Sequence, residues 1–295
     1  MARGFAVLWM LILQLLDMFH GFQNNYNFYW TFNILNWFGW FMVIAGFSLK
    51  LMYDKYRTKL KVFYKQVFKR FLQFTFLGAC LSLWLNWNFG FFDSEVISAI
   101  GLNLLMLSVL LLMNKVVLHW FSQAFCYSLV FVLMVGINSL YDPVGSFNIV
   151  WVQSFMLFGI FLATIREYKF GYAYFGLILL GLGLFSWSTS NYYARNLENW
   201  LLSAGTITIA LLIFYKLQDS KWIQGFFGYF GKHALFYYFF HFAIVNKILL
   251  SLNMFRTIGL TNSFVLTIIS LIVLYVFHHF YMKINGKIFI PKKLT

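Results

Sequence analysis

Long apolar runs alternate along the chain with short polar breaks, and the runs match the length that a bilayer demands. A transmembrane helix needs about 20 mostly apolar residues. By that measure ten segments predict membrane-crossing helices. The first five run from Phe5 to Phe19, Ile34 to Tyr53, Phe71 to Asn88, Val96 to Met113 and Val116 to Asn138. The second five run from Ile149 to Ile165, Gly171 to Ser188, Trp200 to Leu217, Ala234 to Leu250 and Ser263 to Tyr281. The breaks leave no room for a soluble domain, so residues 1–295 read as one membrane-embedded unit. The expected fold class is all-α: a polytopic integral membrane protein of about ten transmembrane helices.

Charge sets the orientation. With ten alternating helices and both termini in the cytoplasm, only Arg195, Lys247 and Arg256 of the 22 Lys and Arg residues fall outside. Basic residues favour the cytoplasmic loops, and an error in the span count would scramble this asymmetry. The densest basic run is Lys55, Arg57, Lys59, Lys61, Lys65, Lys69 and Arg70, whereas Asp93, Glu95, Asp142 and Glu198 lie in outer loops. The predicted location is the cell membrane.

Composition removes the alternatives. Hydrophobic residues make up 62% of the chain and charged ones 10%, with a mean hydropathy of +0.75. A soluble globule carries roughly 25% charged residues, so the solvent here is mostly lipid. The net charge of +14 is then an orientation signal and not a nucleic-acid surface. Cys80 and Cys126 each sit inside an apolar run, which provides neither a metal-ligand spacing nor a disulfide framework. No metal is expected.

Polar residues at membrane depth are costly and mark function. In the first helix Arg3, Met10, Gln14 and Asp17 fall within about 40° of one line, with Gln14 about 16 Å and Asp17 about 21 Å above Arg3. Such a stripe faces the bundle interior or a water-filled cleft; singly, Arg3 also reads as an anchor and Asp17 as a rim residue. In the ninth helix His241 lies about 12 Å beyond His233, with Tyr237 and Tyr238 on its face. His20, Asp93 and Glu95 cluster at outer helix ends, and His119, His278 and His279 lie near the inner surface. Gly39, Gly46, Gly176, Gly181, Gly183 and the run Ser203-Ala204-Gly205 predict close helix crossings. Residues 60–71 form a basic amphipathic segment that suits an anionic leaflet, or an anionic cytosolic ligand. Glycine-rich phosphate loops and nucleophile elbows are missing.

The opening Arg3-Gly4-Phe5-Ala6-Val7-Leu8-Trp9-Met10 resembles the Arg-Gly start of transmembrane acyltransferases. Ala45-Gly46-Phe47-Ser48, Ile100-Gly101-Leu102 and Phe158-Gly159-Ile160-Phe161 fit in order. Gly231 to Ile244 is similar to a closing Gly-basic-x-small-Leu…Tyr…His motif. The set resembled is the heparan-α-glucosaminide N-acetyltransferase-like proteins, with the acyltransferase-three group more distant.

The resemblance implies transfer of an acyl group, such as acetyl, from cytosolic acyl-CoA to a glycan or lipid acceptor at the outer face. It would make Arg3 and Lys232 donor-binding, His241 the base or acyl carrier, and Gln14 and Asp17 the groups that orient acceptor or carbonyl. Two positions depart from the pattern. Gln14 stands where relatives carry a histidine or other polar group at the reaction centre, and an amide has no usable basicity. Ser98 replaces a histidine before the Ile-Gly pair. Either His241, Asp17 or His20 supplies the base, or the fold persists without the chemistry. The other classes open at this point are a transporter or flippase for a glycolipid or polar solute, and a non-catalytic membrane subunit.

Overall fold

A computed structural model describes residues 1–21, 37–85, 96–116, 149–165, 175–182, 197–217 and 219–288. Every regular element among them is a helix. In chain order these are α1 (Ala2–His20), α2 (Trp37–Lys55), α3 (Leu60–Leu85), α4 (Val96–Val116), α5 (Ile149–Thr164) and the short α6 (175–182). They are followed by α7 (Leu197–Lys216), α8 (Lys221–Lys232), α9 (Ala234–Ser251) and α10 (Leu260–Ile288).

Among the described residues three segments are long and apolar enough to cross a membrane: Ala2–His20, Ala234–Ser251 and Leu260–Ile284. Shorter apolar helices occupy Ser98–Leu112, Val152–Thr164 and Trp200–Lys216. The expected fifth span falls almost wholly outside the described residues, and only the middle of the expected seventh, residues 175–182, falls inside.

What each helix exposes identifies its solvent. On α10 the buried side chains are Ser263, Thr267, Leu274 and His278, while Val265, Ile268, Ile272, Val273, Phe280 and Ile284 are exposed. A helix in water does the reverse, turning its apolar stripe inward. Lipid removes the penalty on the apolar side and leaves the polar groups to seek partners inside.

The packed centre is the α2–α5 crossing. Helix α5 is largely apolar, and Val152, Phe155, Met156, Leu157, Phe158, Ile160 and Leu162 are fully buried. Glycines set the approach: a Cβ on Gly46 would lie 1.9 Å from the Met156 carbonyl oxygen, and one on Gly159 would lie 2.0 Å from that of Val43. Gly39, Gly176 and Gly205 also meet a neighbouring element closely, as their pattern predicts. Gly181 does not; it faces open space. Trp200 of α7 stacks on Phe155 and donates from Nε1 to Ser154 Oγ at 3.2 Å.

Two expected boundaries move. The basic segment at 60–71 and the third span form one unbroken helix, α3, because no Gly or Pro separates them. Part of its apolar side packs on protein: Phe63 and Val67 are buried, Phe63 meets Tyr53 edge-on, and Tyr64 donates to the Ser108 carbonyl, while Phe68 stays 52% exposed. The lysines at 61, 65 and 69 remain exposed. The stretch before the ninth span, read as a loop, is helix α8.

Candidate functional site

Helices α1 and α9 run side by side in the same direction, and two sets of contacts fix their register. At the Arg3 end, a Cβ on Gly4 would strike the Phe227 carbonyl at 1.6 Å, and one on Gly231 would lie 3.0 Å from the Gly4 nitrogen. At the far end Leu15, Met18 and Phe19 pack with Leu249, Phe242 and Val245. Gln14 lies ten residues beyond Gly4, and His241 lies ten beyond Gly231. Both therefore stand about 15 Å from the glycine crossing. By this count the two site residues stand at about one level on helices packed against each other, and both are buried.

His241 donates from Nδ1 to the Tyr237 carbonyl at 3.0 Å. A carbonyl oxygen only accepts, so Nδ1 carries a proton, and in the neutral ring Nε2 carries the lone pair. That Nε2 is buried and has no hydrogen-bond partner among the described residues, as is true of Gln14 Oε1 and Asn246 Oδ1. Asn246 was not singled out from the sequence. It shares the buried side of α9 because residues His241–Asn246 form a π-helical turn. Such turns are rare and concentrate at functional sites.

Arg3 and Lys232 meet at the same end. Each is exposed, and each adjoins one glycine of the Gly4–Gly231 crossing. Arg70 of α3 lies near enough to repel Arg3. This end therefore gathers basic groups from three helices.

Asp17 is engaged elsewhere. Its Oδ2 accepts from Arg256 Nη2 at 2.6 Å. The loop after α9 then covers the last turn of α1: Arg256 N donates to Met18 O and Ile258 N to Phe19 O, each at 2.9 Å. His20 returns a bond from Nδ1 to Ile258 O at 2.9 Å. Helix-terminal carbonyls lack internal partners, and this loop supplies them. Gly21 permits the approach with φ 71°, since a Cβ there would lie 3.0 Å from Arg256 Cβ. Asp17 and His20 thus tie down a loop at the far end. Ser98 is half-buried on α4, and Asp93 and Glu95 lie outside the described residues.

A second polar cluster went unread in the sequence. His278, expected near the inner membrane surface, is only 1% exposed. Its Nδ1 bonds to the Tyr229 hydroxyl, and its ring stands 4.3 Å from His233 and 5.2 Å from Tyr237. The cluster draws on α8, α9 and α10, so no spacing along the chain could have announced it. Burial, then the Lys232 charge, holds His233 below the usual imidazole range, and burial pushes the Tyr229 hydroxyl up. Among the described residues no group of three or more His, Cys, Asp or Glu side chains could hold a metal ion.

No family model matches the chain, and no curated protein and no solved structure is similar to it.

Proposed function

We propose that this protein is a multi-pass enzyme of the cell membrane, a divergent relative of the heparan-α-glucosaminide N-acetyltransferase-like proteins. About ten helices cross the membrane with both termini in the cytoplasm. It moves an acyl group from cytosolic acyl-CoA to a glycan or lipid acceptor at the outer face. One observation carries the reading: a buried imidazole whose Nε2 meets no partner among the described residues lies on a helix packed against the one that carries buried Gln14, about 15 Å by residue count from a basic end built around Arg3 and Lys232.

In this mechanism the basic end holds the donor's phosphates as point-charge contacts, and the thioester reaches inward along α1. The acceptor hydroxyl or amine attacks the thioester carbonyl while His241 Nε2 takes its proton. The Gln14 amide donates to the carbonyl oxygen as negative charge develops there. The carbon–sulfur bond breaks, the thiolate leaves, and the proton held by His241 passes to it. The acyl group ends on the acceptor and free coenzyme A returns to the cytosol. The Gln14 departure is thereby given a role, since an amide is a poor base and a good donor. Asp17 holds the outer loop through Arg256.

Membranes containing the protein, given acyl-labelled acyl-CoA, transfer label to a glycan or lipid fraction. His241→Ala lowers that transfer by about 10²- to 10⁴-fold, as expected for loss of a general base, with unchanged protein level. Absence of label from every glycan, lipid and protein fraction overturns the proposal.

A further inference from the structure

The π turn in α9 has no cause within its own sequence. His241-Phe242-Ala243-Ile244-Val245-Asn246 contains neither Gly nor Pro, and residues on both sides of it are ordinary α-helix. The buried positions show what the turn accomplishes. They run Ala234, Tyr237 and Tyr238, His241, then Asn246 and Leu249. Up to His241 the spacing is three or four, as a 3.6-residue period requires. The next step is five. In an α-helix, residues five apart point about 140° away from each other, so Asn246 would leave the face that His241 occupies. The wider turn restores it, and Val245 takes the half-buried position beside it.

A hydrogen bond from outside the helix reaches this turn at its centre. Trp84 of α3 donates from Nε1 to the Ala243 carbonyl at 2.9 Å. Side chains that insert into a helix ladder are an established cause of such irregularity, and in lipid a carbonyl displaced from the ladder must find a donor. Burial does not explain the placement of Trp84, whose side is 56% exposed. Lys247 steadies it from above, with Nζ 5.9 Å from the ring centroid and bonded to the Trp84 carbonyl at 3.3 Å.

We propose that Trp84 is a positioning residue: its indole N–H holds the π turn of α9 in the register that keeps Asn246 on the buried face with His241. Asn246 thereby becomes a third polar member of the site, beside His241 and Gln14. What that face does rests on the acyl-transfer reading; the register itself does not.

The test uses Trp84→Phe, which keeps an aromatic ring and removes the N–H donor. In a background with Cys80→Ser and Cys126→Ser, a nitroxide is placed through Asn246→Cys or Val245→Cys, and its collision rate with dissolved oxygen reports exposure to lipid. With Trp84 present, position 246 is shielded and 245 less so. Trp84→Phe raises the rate at 246 and lowers it at 245. Deleting Ile244 in the Trp84→Phe protein makes Asn246 the fourth residue after His241 in an ordinary α-helix, so shielding at 246 returns. Acyl transfer follows the same pattern. Trp84→Phe lowers kcat by about 10- to 100-fold, the scale of a small misplacement, leaves KM for acyl-CoA unchanged, and the deletion restores kcat. A position 246 that stays shielded in Trp84→Phe overturns the assignment, as does a deletion that brings neither shielding nor turnover back. If the nitroxide pattern holds but the parent protein transfers no acyl label, the register stands and the acyl-transfer reading fails.

Discussion

At the scale of single residues, each polar group in this protein is defined by what it meets. Asp17 and Gln14 lie three positions apart on α1, yet one is held by Arg256 and the other is buried with Oε1 unmet among the described residues. The Asp17–Arg256 pair is partly exposed, with side chains 24% and 38% accessible, so its loss costs on the order of 1 kcal/mol. Asp17→Asn lowers the melting temperature of the detergent-purified protein modestly; an unchanged melting temperature would mean the loop is held by its backbone bonds alone. His233 carries a pH dependence of definite sign. Its folded pKa lies below its ordinary value, so the unfolded chain binds the extra proton first. Stability is full above about pH 6.5, falls as pH drops below that value, and stops falling once the folded group titrates. Melting temperatures across pH 7.5 to 5 show this decline, and His233→Phe makes it shallower. Arg3, Gln14 and His241 were legible as candidates because ionisable or polar residues in apolar runs stand out. Asn246, His278 and Trp84 were not, because their significance comes from other helices.

At the scale of elements, glycine positions decide which helices can touch. Gly46→Ala or Gly159→Ala would push a methyl group into backbone on the facing helix. Neither backbone can give way locally, so α2 and α5 must separate, at a cost of at least about 3 kcal/mol. Gly181→Ala meets open space and is harmless. Gly225→Ala, also unobstructed and inside α8, gains about 1 kcal/mol from helix propensity. Comparing the folded, monodisperse yield of the four variants checks the set: two collapse and two do not. Element boundaries were less legible than element type. The break expected inside α3, near Phe71, rested on a change from basic to apolar composition, but composition does not end a helix without a cap, a glycine or a proline. The π turn is the converse case, an interruption with no local signal, imposed by a tryptophan more than 150 residues away in the chain.

At the scale of the whole molecule, the exposed surface argues for lipid. Leu83, Trp84, Leu177, Ile178, Ile268, Ile272 and Phe280 are more than half exposed while Ser263, Thr267 and His278 are buried. In water such a surface would aggregate. The proposed ten-span topology would place both termini and Lys59 on one side, and Asn253 on the other. Cysteines introduced at Lys59 and Asn253 in a background with Cys80→Ser and Cys126→Ser distinguish them. In intact cells an impermeant maleimide labels position 253 and spares position 59, and the opposite pattern reverses the orientation.

The sequence alone determined the helical class, the membrane setting expected of it and the two helices that carry His241 and Gln14. Hydropathy and the spacing of polar residues are properties of a single segment, and they survive without knowledge of any other. Tertiary structure alone decided that Gln14 and His241 share one level, that Asp17 belongs to Arg256, and that His278 meets His233 and Tyr229. It also decided that Asn246 turns inward. Each of these depends on how far one helix is displaced along another. In lipid that displacement is set by backbone contact at glycines and by hydrogen bonds between helices, neither of which leaves a period in the chain.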